Sequence, residues 1–300
     1  MSLDNQPLVS VVIPCYNHEK FVQDSIQSVI DQTYENIELI IIDDGSKDRS
    51  VEKIQEMIVA CKKRFARFEF RHRVNKGLSS TLNEALEWCT GEYYSAIASD
   101  DMLLPEKIKK QIEAFAYFNK NSQNIVGIFG GYHLIDNDNK IISTVLRNKK
   151  DYDFNEILSH SFDLPAPTTL LNLDAVKKVG GYAEDLKIED WFMWLKLTER
   201  GGKLIYIDKI FVNYRSHGNN TSKNIVLMNQ ERQKVLSYFS EHSYYLKAKS
   251  KLEWLEATDY LYLDKSKALI HVKKLLSKRP FDLFSKNFLR FVYHALKVNK

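Results

Sequence analysis

The sequence predicts an α/β fold, a mostly parallel sheet flanked by helices, followed by a helical C-terminal extension. Three observations predict it. Apolar, β-branched runs alternate with stretches of helical periodicity over the first hundred residues, as in a sheet covered on both faces. Four polar pieces, NHEK, DDGS, RVNKG and SDD, fall where those runs end. From residue 224 onward the pattern is helical with no sheet signal.

The elements follow in order. LVSVVIP (8–14) reads as a buried strand, and Phe21, Ile26, Val29 and Ile30 then recur at helical spacing. Residues 37–42 repeat the pattern, with a polar turn at Gly45 and a helix from about Ser50. RFEFRHR (67–73) is a third strand. LSSTLNEALEWCTG is a helix, with Gly91 expected as its C-cap. EYYSAIAS (92–99) is a fourth strand that delivers Asp100 and Asp101 at its C-terminal end, and Pro105 is expected to open the next helix. IVGIFGGYHLIDNDNKIIS reads as two strands around a DNDN turn. A helix starts at Glu189 and ends at the paired glycines 201 and 202, and GKLIYIDKIFVNYRSHGNN adds further strands. The expected division is a sheet domain over 1–222 and a helical, basic extension over 223–300.

Composition narrows the function classes. Apolar residues make up 44% and charged residues 27%, ordinary for a soluble globular chain. No run reaches the roughly 18 apolar residues of a membrane span, and MSLDNQPL lacks the basic and apolar segments of a signal peptide. Cys15, Cys61 and Cys89 are odd in number and widely spaced, which argues against a disulfide framework or a zinc site. A cytoplasmic location is expected. From Lys265 to Lys300 ten lysines and arginines face one acid, a net +9, which leaves −5 on the rest of a chain whose total is +4. Phe281, Phe284, Phe288 and Phe291 interleave with those bases. Two readings stand: a basic amphipathic element on an anionic membrane surface, or a packed helical appendage with a solvated basic face. No nucleic-acid recognition motif accompanies the charge, so no nucleic-acid partner is expected.

Ligands of parallel sheets bind beyond the carboxyl ends of the strands. No G-x-G-x-x-G follows the first strand, and no P-loop or G-x-S-x-G elbow is present. Asp43 and Asp44 end the second strand. An ionised aspartate is acceptor-only, so it suits a ring N–H or a ribose hydroxyl, or equally the cap of a turn. Asp100 and Asp101 are hard oxygen donors of the kind Mg²⁺ or Mn²⁺ takes beside phosphate oxygens, or they cap the turn before a helix. Glu189 and Asp190 sit at a helix N-terminus, where the dipole stabilises an acid; a carboxylate there can also take a proton from an attacking hydroxyl. Trp191 and Trp194 share a helix face, as core residues or as a sugar platform. Arg215 and His217 flank Ser216 after a strand, and His217 is a surface imidazole or a metal ligand.

In order and spacing, VSVVIPCYNHEKFVQDSIQSVIDQTYENIELIIIDDGSKDRS, NKGLSSTLNEAL, GEYYSAIASDDMLLPEKI, VGGYAEDLKIEDWFMWLKLTERGGK and YRSH resemble the inverting nucleotide-sugar glycosyltransferases of family 2, over about residues 8 to 220. The resemblance implies a GT-A fold with a Rossmann-like sheet. It implies a metal-dependent transfer of sugar, with inversion, from a UDP-sugar to a saccharide acceptor. The acceptor would be lipid-diphosphate-linked, in bacterial surface polysaccharide (O-antigen or capsule) biosynthesis, at the inner face of the cell membrane. Pro14 and Tyr16 would line the nucleoside pocket, and Asp44 would accept from the base with Asp43 beside it. Asn75, Lys76 and Gly77 would lie near the diphosphate or ribose. Asp100 and Asp101 would hold Mn²⁺ or Mg²⁺, with Asp100 also at the donor and His217 as a further ligand. Asp190 would be the catalytic base, with Glu189 and Trp191 on the acceptor side. Many relatives carry an acid two positions before Asp100, where this chain has Ala98. The alternative is a GT-A subunit that binds a nucleotide sugar without turnover. A sugar nucleotidyltransferase is disfavoured by the lack of a Gly-rich basic loop near the N-terminus.

Overall fold

The computed structural model describes residues 6–120, 124–216 and 223–298. The first half alternates as expected: β1 (Val9–Cys15), α1 (Val22–Ile30), β2 (Ile37–Asp43), α2 (Ser50–Arg64), β3 (Arg67–His72), α3 (Leu78–Trp88) and β4 (Tyr93–Ala96). β3, β2, β1 and β4 lie side by side, all parallel. All seven residues of β2 are buried, so this strand is covered on both faces. One face of α1, carrying Val22, Ile26 and Val29, closes on the sheet.

The second half is mixed. β5 (Met102–Leu103), α4 (Lys107–Asn119), β6 (Ile125–Ile135), β7 (Ile141–Val145), β8 (Lys150–Tyr152), α5 (Phe154–Leu158), β9 (Leu170–Asn172), α6 (Leu173–Lys178), α7 (Glu189–Glu199) and β10 (Lys203–Arg215) follow. The strand order is β3-β2-β1-β4-β9-β6-β10-β5, with β7 on β6 and β8 on β10. β6 and β10 run parallel, whereas β9 is antiparallel to both β4 and β6. β6 and β7 form the expected hairpin around the 136–140 turn.

Three local expectations are corrected. Gly91 does not cap α3; Cys89 does. Gly91 is required for close approach instead, because a Cβ there would meet the Leu8 carbonyl oxygen at 2.7 Å. Pro105 does not open a helix, since it sits in a turn and α4 begins at Lys107. Residues 203–215 form one long strand, and register shifts between Tyr206 and Val212 let the exposed pair Asp208 and Lys209 pass without ending it.

The chain divides into two compact units. The first comprises Met1–Phe154, Asp163–Asp185 and Glu189–Gly218, and the second Asn155–Phe162, Leu186–Ile188 and Asn219–Lys300. The second contains α8 (Ile225–Ser237), α9 (Tyr245–Tyr260), α10 (Lys265–Lys278) and α11 (Lys286–Val298). Its core gathers Ala257, Leu261, Ala268, Val272, Leu275 and Phe291 about Trp254. Truncating a buried Trp of this kind to Ala costs about 3–5 kcal/mol. Among the described residues no helix is long and apolar enough to cross a membrane.

Candidate active site

The carboxyl ends of β1 to β4 lie on one edge of the sheet, and their loops are tied together. The Asp44 N–H donates to the Cys15 carbonyl (2.8 Å), and the Asn17 N–H to Ser46 Oγ (2.8 Å). Asn17 holds a positive φ of 56°, which its short polar side chain tolerates. His18 bridges onward: its N–H donates to Ser50 Oγ, and its Nδ1 lies 2.7 Å from Ser99 Oγ, just before Asp100. Gly45, at φ +78°, lets the second loop rest on the third, because a Cβ there would stand 2.7 Å from the Asn75 nitrogen. The four polar pieces of the sequence therefore form one surface.

Asp43 and Asp44 are both buried but differently engaged. Asp43 Oδ1 accepts from the Gly45 and Ser46 N–H groups, and Oδ2 from Ser46 Oγ (2.5 Å). In this chain Asp43 caps its own turn. Asp44 accepts from the backbone N–H groups of Lys76 (2.8 Å) and Gly77 (2.9 Å) and from the Arg73 guanidinium. It thereby orients the Asn75–Gly77 segment. A carboxylate offers about four acceptor sites, so one remains for a ligand. Pro14 is partly buried, Tyr16 is 43% exposed, and Asn75 and Lys76 are exposed.

Asp100 and Asp101 are buried in a socket made by Arg215. The Arg215 N–H donates to Asp101 Oδ1 (2.8 Å), and its Nε to the Asp100 carbonyl (2.8 Å). Its Nη1 donates to the Asp136 carbonyl and its Nη2 to Asn139 Oδ1, which ties the β6–β7 turn to the acid pair. The guanidinium rests over the Phe21 ring at 4.5 Å. Asp101 Oδ2 is buried with no hydrogen-bond partner. Burial, and after it the Asp100 charge, raises the Asp101 carboxyl well above its ordinary value. Asp100 Oδ1 stands 3.8 Å from His18 Nδ1. An orphaned carboxylate oxygen beside a second carboxylate fits a hard divalent cation. Among the described residues no third His, Cys, Asp or Glu completes a metal cluster, so water and phosphate oxygens would fill the remaining positions. His217 lies outside the described residues. The Ala98 side chain is exposed, and its carbonyl accepts from Asp101 N–H (3.1 Å) and Ser25 Oγ.

Glu189 and Asp190 open α7 and are partly buried. Burial raises the Asp190 carboxyl, while the Trp191 N–H at 2.7 Å pulls the other way. Both acids act electrostatically on Tyr182, whose hydroxyl donates to Tyr94 of β4 at 3.4 Å. Trp191, expected on the acceptor side, is corrected to a core residue: it is 1% exposed and presents no ring face to a saccharide. Trp194 is likewise buried, edge-on to Phe129. Burial pushes the thiols of Cys15 and Cys89 up to about 12 and that of Cys61 to about 11, so none is a nucleophile at neutral pH.

Sequence reasoning left His18, Ser99 and Arg73 without a role and gave Arg215 none beyond its position. His18 lay in plain view inside NHEK at a strand end. The reach of Arg215 to Asp100, Asp101 and the 136–139 turn is a contact across more than 75 residues that no local pattern announces.

The family model described as glycosyl transferase family 2 matches residues 10–180. An uncharacterized glycosyltransferase of Rickettsia bellii is 29% identical over 288 residues, covering 92% of this chain and 38% of the relative. The chain thus spans well under half the length of that relative. Among solved structures, S. aureus TarS 1-349 in complex with UDP-GlcNAc aligns with a TM-score of 0.61 at 14% identity, covering 97% of this chain and 79% of that one. The mannosyltransferase PcManGT from Pyrobaculum calidifontis, in complex with GDP-Man and Mn²⁺, aligns at 0.64 and 14%, covering 97% and 84%. At these identities the likeness concerns the fold, which is that of GT-A glycosyltransferases.

Proposed function

The chain belongs to glycosyl transferase family 2, and from that premise we propose that it transfers a sugar, with inversion, from a nucleoside-diphosphate sugar to a saccharide hydroxyl. The observation that carries this reading is the orphaned Oδ2 of Asp101 beside Asp100, at the edge where the four strand-end loops converge. The complexes of TarS with UDP-GlcNAc and PcManGT with GDP-Man and Mn²⁺ support a nucleotide sugar here, and we take the base to be uracil.

In this reading Pro14 and Tyr16 line the nucleoside pocket, with the half-exposed Tyr16 ring against the base. Asp44 uses its remaining acceptor site on the base, and Asp43 holds the turn that carries it. Asn75, Lys76 and Gly77, oriented by Asp44, face the diphosphate, where the Lys76 ammonium offsets charge on the departing phosphates. Asp100 and Asp101 would hold Mn²⁺ or Mg²⁺, which would neutralise charge on the leaving diphosphate. Asp190 takes the acceptor hydroxyl proton, and Glu189 lies beside the acceptor. The acceptor oxygen bonds to the anomeric carbon as the bond to the diphosphate breaks, its electron pair leaving on phosphate. Attack from the opposite face turns an α-linked donor into a β-linkage, through a state like that of glycoside hydrolysis. We extend the reading to a lipid-diphosphate-linked acceptor in a bacterial surface-polysaccharide pathway.

The test is nucleoside diphosphate release with Mn²⁺ across UDP- and GDP-sugars, with and without a lipid-diphosphate saccharide. Release from one UDP-sugar, lost in Asp100→Ala and Asp101→Ala, is expected. Donor binding without release under all these conditions would favour the non-catalytic subunit, and release from a GDP-sugar alone would replace the base.

A further inference from the structure

The second unit turns an unusual surface outward. α11 buries Phe291 and packs Phe288 and Phe291 on Trp254, with ring centroids 5.8 and 6.2 Å away. Its opposite face is exposed and carries Lys286, Leu289, Arg290, Tyr293, Leu296 and Lys297, a stripe at helical spacing. Leu289, Tyr293 and Leu296 are each more than half exposed. α10 repeats the arrangement: Ala268, Val272 and Leu275 point into the core, while Leu269, Ile270, Lys273 and Lys274 face out. The turn between the two helices projects Phe281 and Phe284, which are 86% and 82% exposed. The outward faces of three consecutive elements therefore alternate large apolar groups with bases.

Charge says what covers them. The single acid of this segment, Asp282, is drawn inward: it accepts from Trp254 Nε1 (2.8 Å) and pairs with Arg279 (3.1 Å). Arg279 also pairs with Glu253. The bases Lys273, Lys274, Lys278, Lys286 and Arg290 are exposed, and residues 265–298 contain no acid besides Asp282. A protein core would not tolerate that density of like charge, and an aqueous surface gains nothing from two nearly bare phenylalanines. An anionic lipid leaflet satisfies both, since acyl chains take the rings and headgroup phosphates take the bases.

We propose that the α10–α11 face, led by Phe281 and Phe284, docks this protein on an anionic membrane surface. The inference stands apart from the sugar-transfer reading, because every residue it uses lies in the helical unit.

The test is flotation of the full chain with phosphatidylcholine vesicles, with and without phosphatidylglycerol, at low and high salt. Binding to anionic vesicles is expected to exceed binding to neutral ones by tenfold or more and to weaken with salt, roughly as a cluster of surface bases dictates. F281S/F284S and, separately, K273E/K274E should each lower anionic binding about tenfold, with unchanged circular dichroism. These four positions are exposed, so the fold should survive. Absence of vesicle binding overturns the proposal. So does equal binding to neutral vesicles, or a concentration-dependent dimer, abolished by F281S/F284S, in place of vesicle binding. Sugar-transfer activity unchanged in these variants on a water-soluble acceptor would keep the two readings separate.

Discussion

Burial raises the Asp190 carboxyl above the ordinary aspartate value of 3.8. A base with a raised pKa holds a proton more strongly, which favours its removal from a sugar hydroxyl. The same shift sets a pH dependence. In the proposed role only the deprotonated form serves, so activity should fall as pH drops through the raised value, giving kcat/KM an acidic limb. Asp190→Asn should cut turnover by about 10²–10⁴-fold and remove that limb, while leaving donor affinity nearly unchanged. Steady-state kinetics across pH, with donor titration by calorimetry, checks this; near-normal turnover of the variant would take the base role from Asp190. The acid pairs Asp43–Asp44 and Asp100–Asp101 were legible because each follows an apolar run, and carboxylates in such places need a reason. The partners that decide their chemistry were not. Asp43 and Asp44 read alike in DDGS, yet one caps its turn and the other holds the Lys76–Gly77 backbone. Both acids also reach across to β3 or its loop, Asp43 to His72 Nδ1 at 2.9 Å, because β3 lies beside β2, a long-range pairing.

Elements place the site by holding the strands in register. Ser10 of β1 lies opposite Glu38 of β2, and its hydroxyl donates to the buried carboxylate at 2.5 Å. Thr90, Gly91 and Arg67 supply further donors. Burial alone would raise the Glu38 pKa, but these bonds outweigh it and the group ends below its ordinary 4.5. A depressed carboxylate contributes stability that is present above the unfolded pKa and is lost as pH falls through the folded one. Glu38→Gln should therefore destabilise the sheet by about 2 kcal/mol at neutral pH, and the deficit should shrink below pH 4.5. Urea denaturation at several pH values measures it, and an equal deficit at low and neutral pH would contradict the charge argument. The strand run of β2 was plain in its apolar residues, whereas Glu38 within it gave no sign of its four donor residues. Similarly, the exposed Asp208–Lys209 pair interrupts the apolar run of 203–215, and it is the pairing of β10 with β6 that carries the strand through.

At the scale of the whole molecule, ligand binding and folding are linked. A ligand that binds the folded chain at a hundred times its Kd stabilises it by about 2.7 kcal/mol. UDP with Mn²⁺ should therefore raise the Tm of the wild-type chain by several degrees, more than either alone. Asp100→Asn and Asp101→Asn should lose the synergy. Because Asp101 is buried with an unsatisfied oxygen and a raised pKa, Asp101→Asn should also be no less stable than wild type without ligand. Differential scanning fluorimetry reads both effects; persistence of the metal synergy in both variants would remove the pair from the cation site.

By itself the sequence determined the strand–helix alternation, the polar loops at the strand ends, the carboxylates there and the basic, aromatic tail. These are local properties, set by apolar periodicity and by residue chemistry within a few positions. Only the tertiary structure decided that Trp191 is core, that Gly91 admits the Leu8 carbonyl, that Arg215 seats the acid pair, and that Phe281 and Phe284 stand bare while Phe288 and Phe291 are covered. Each of these depends on which distant segment packs alongside. The free energy of that packing is shared among residues far apart in the chain, and no single stretch carries its signature.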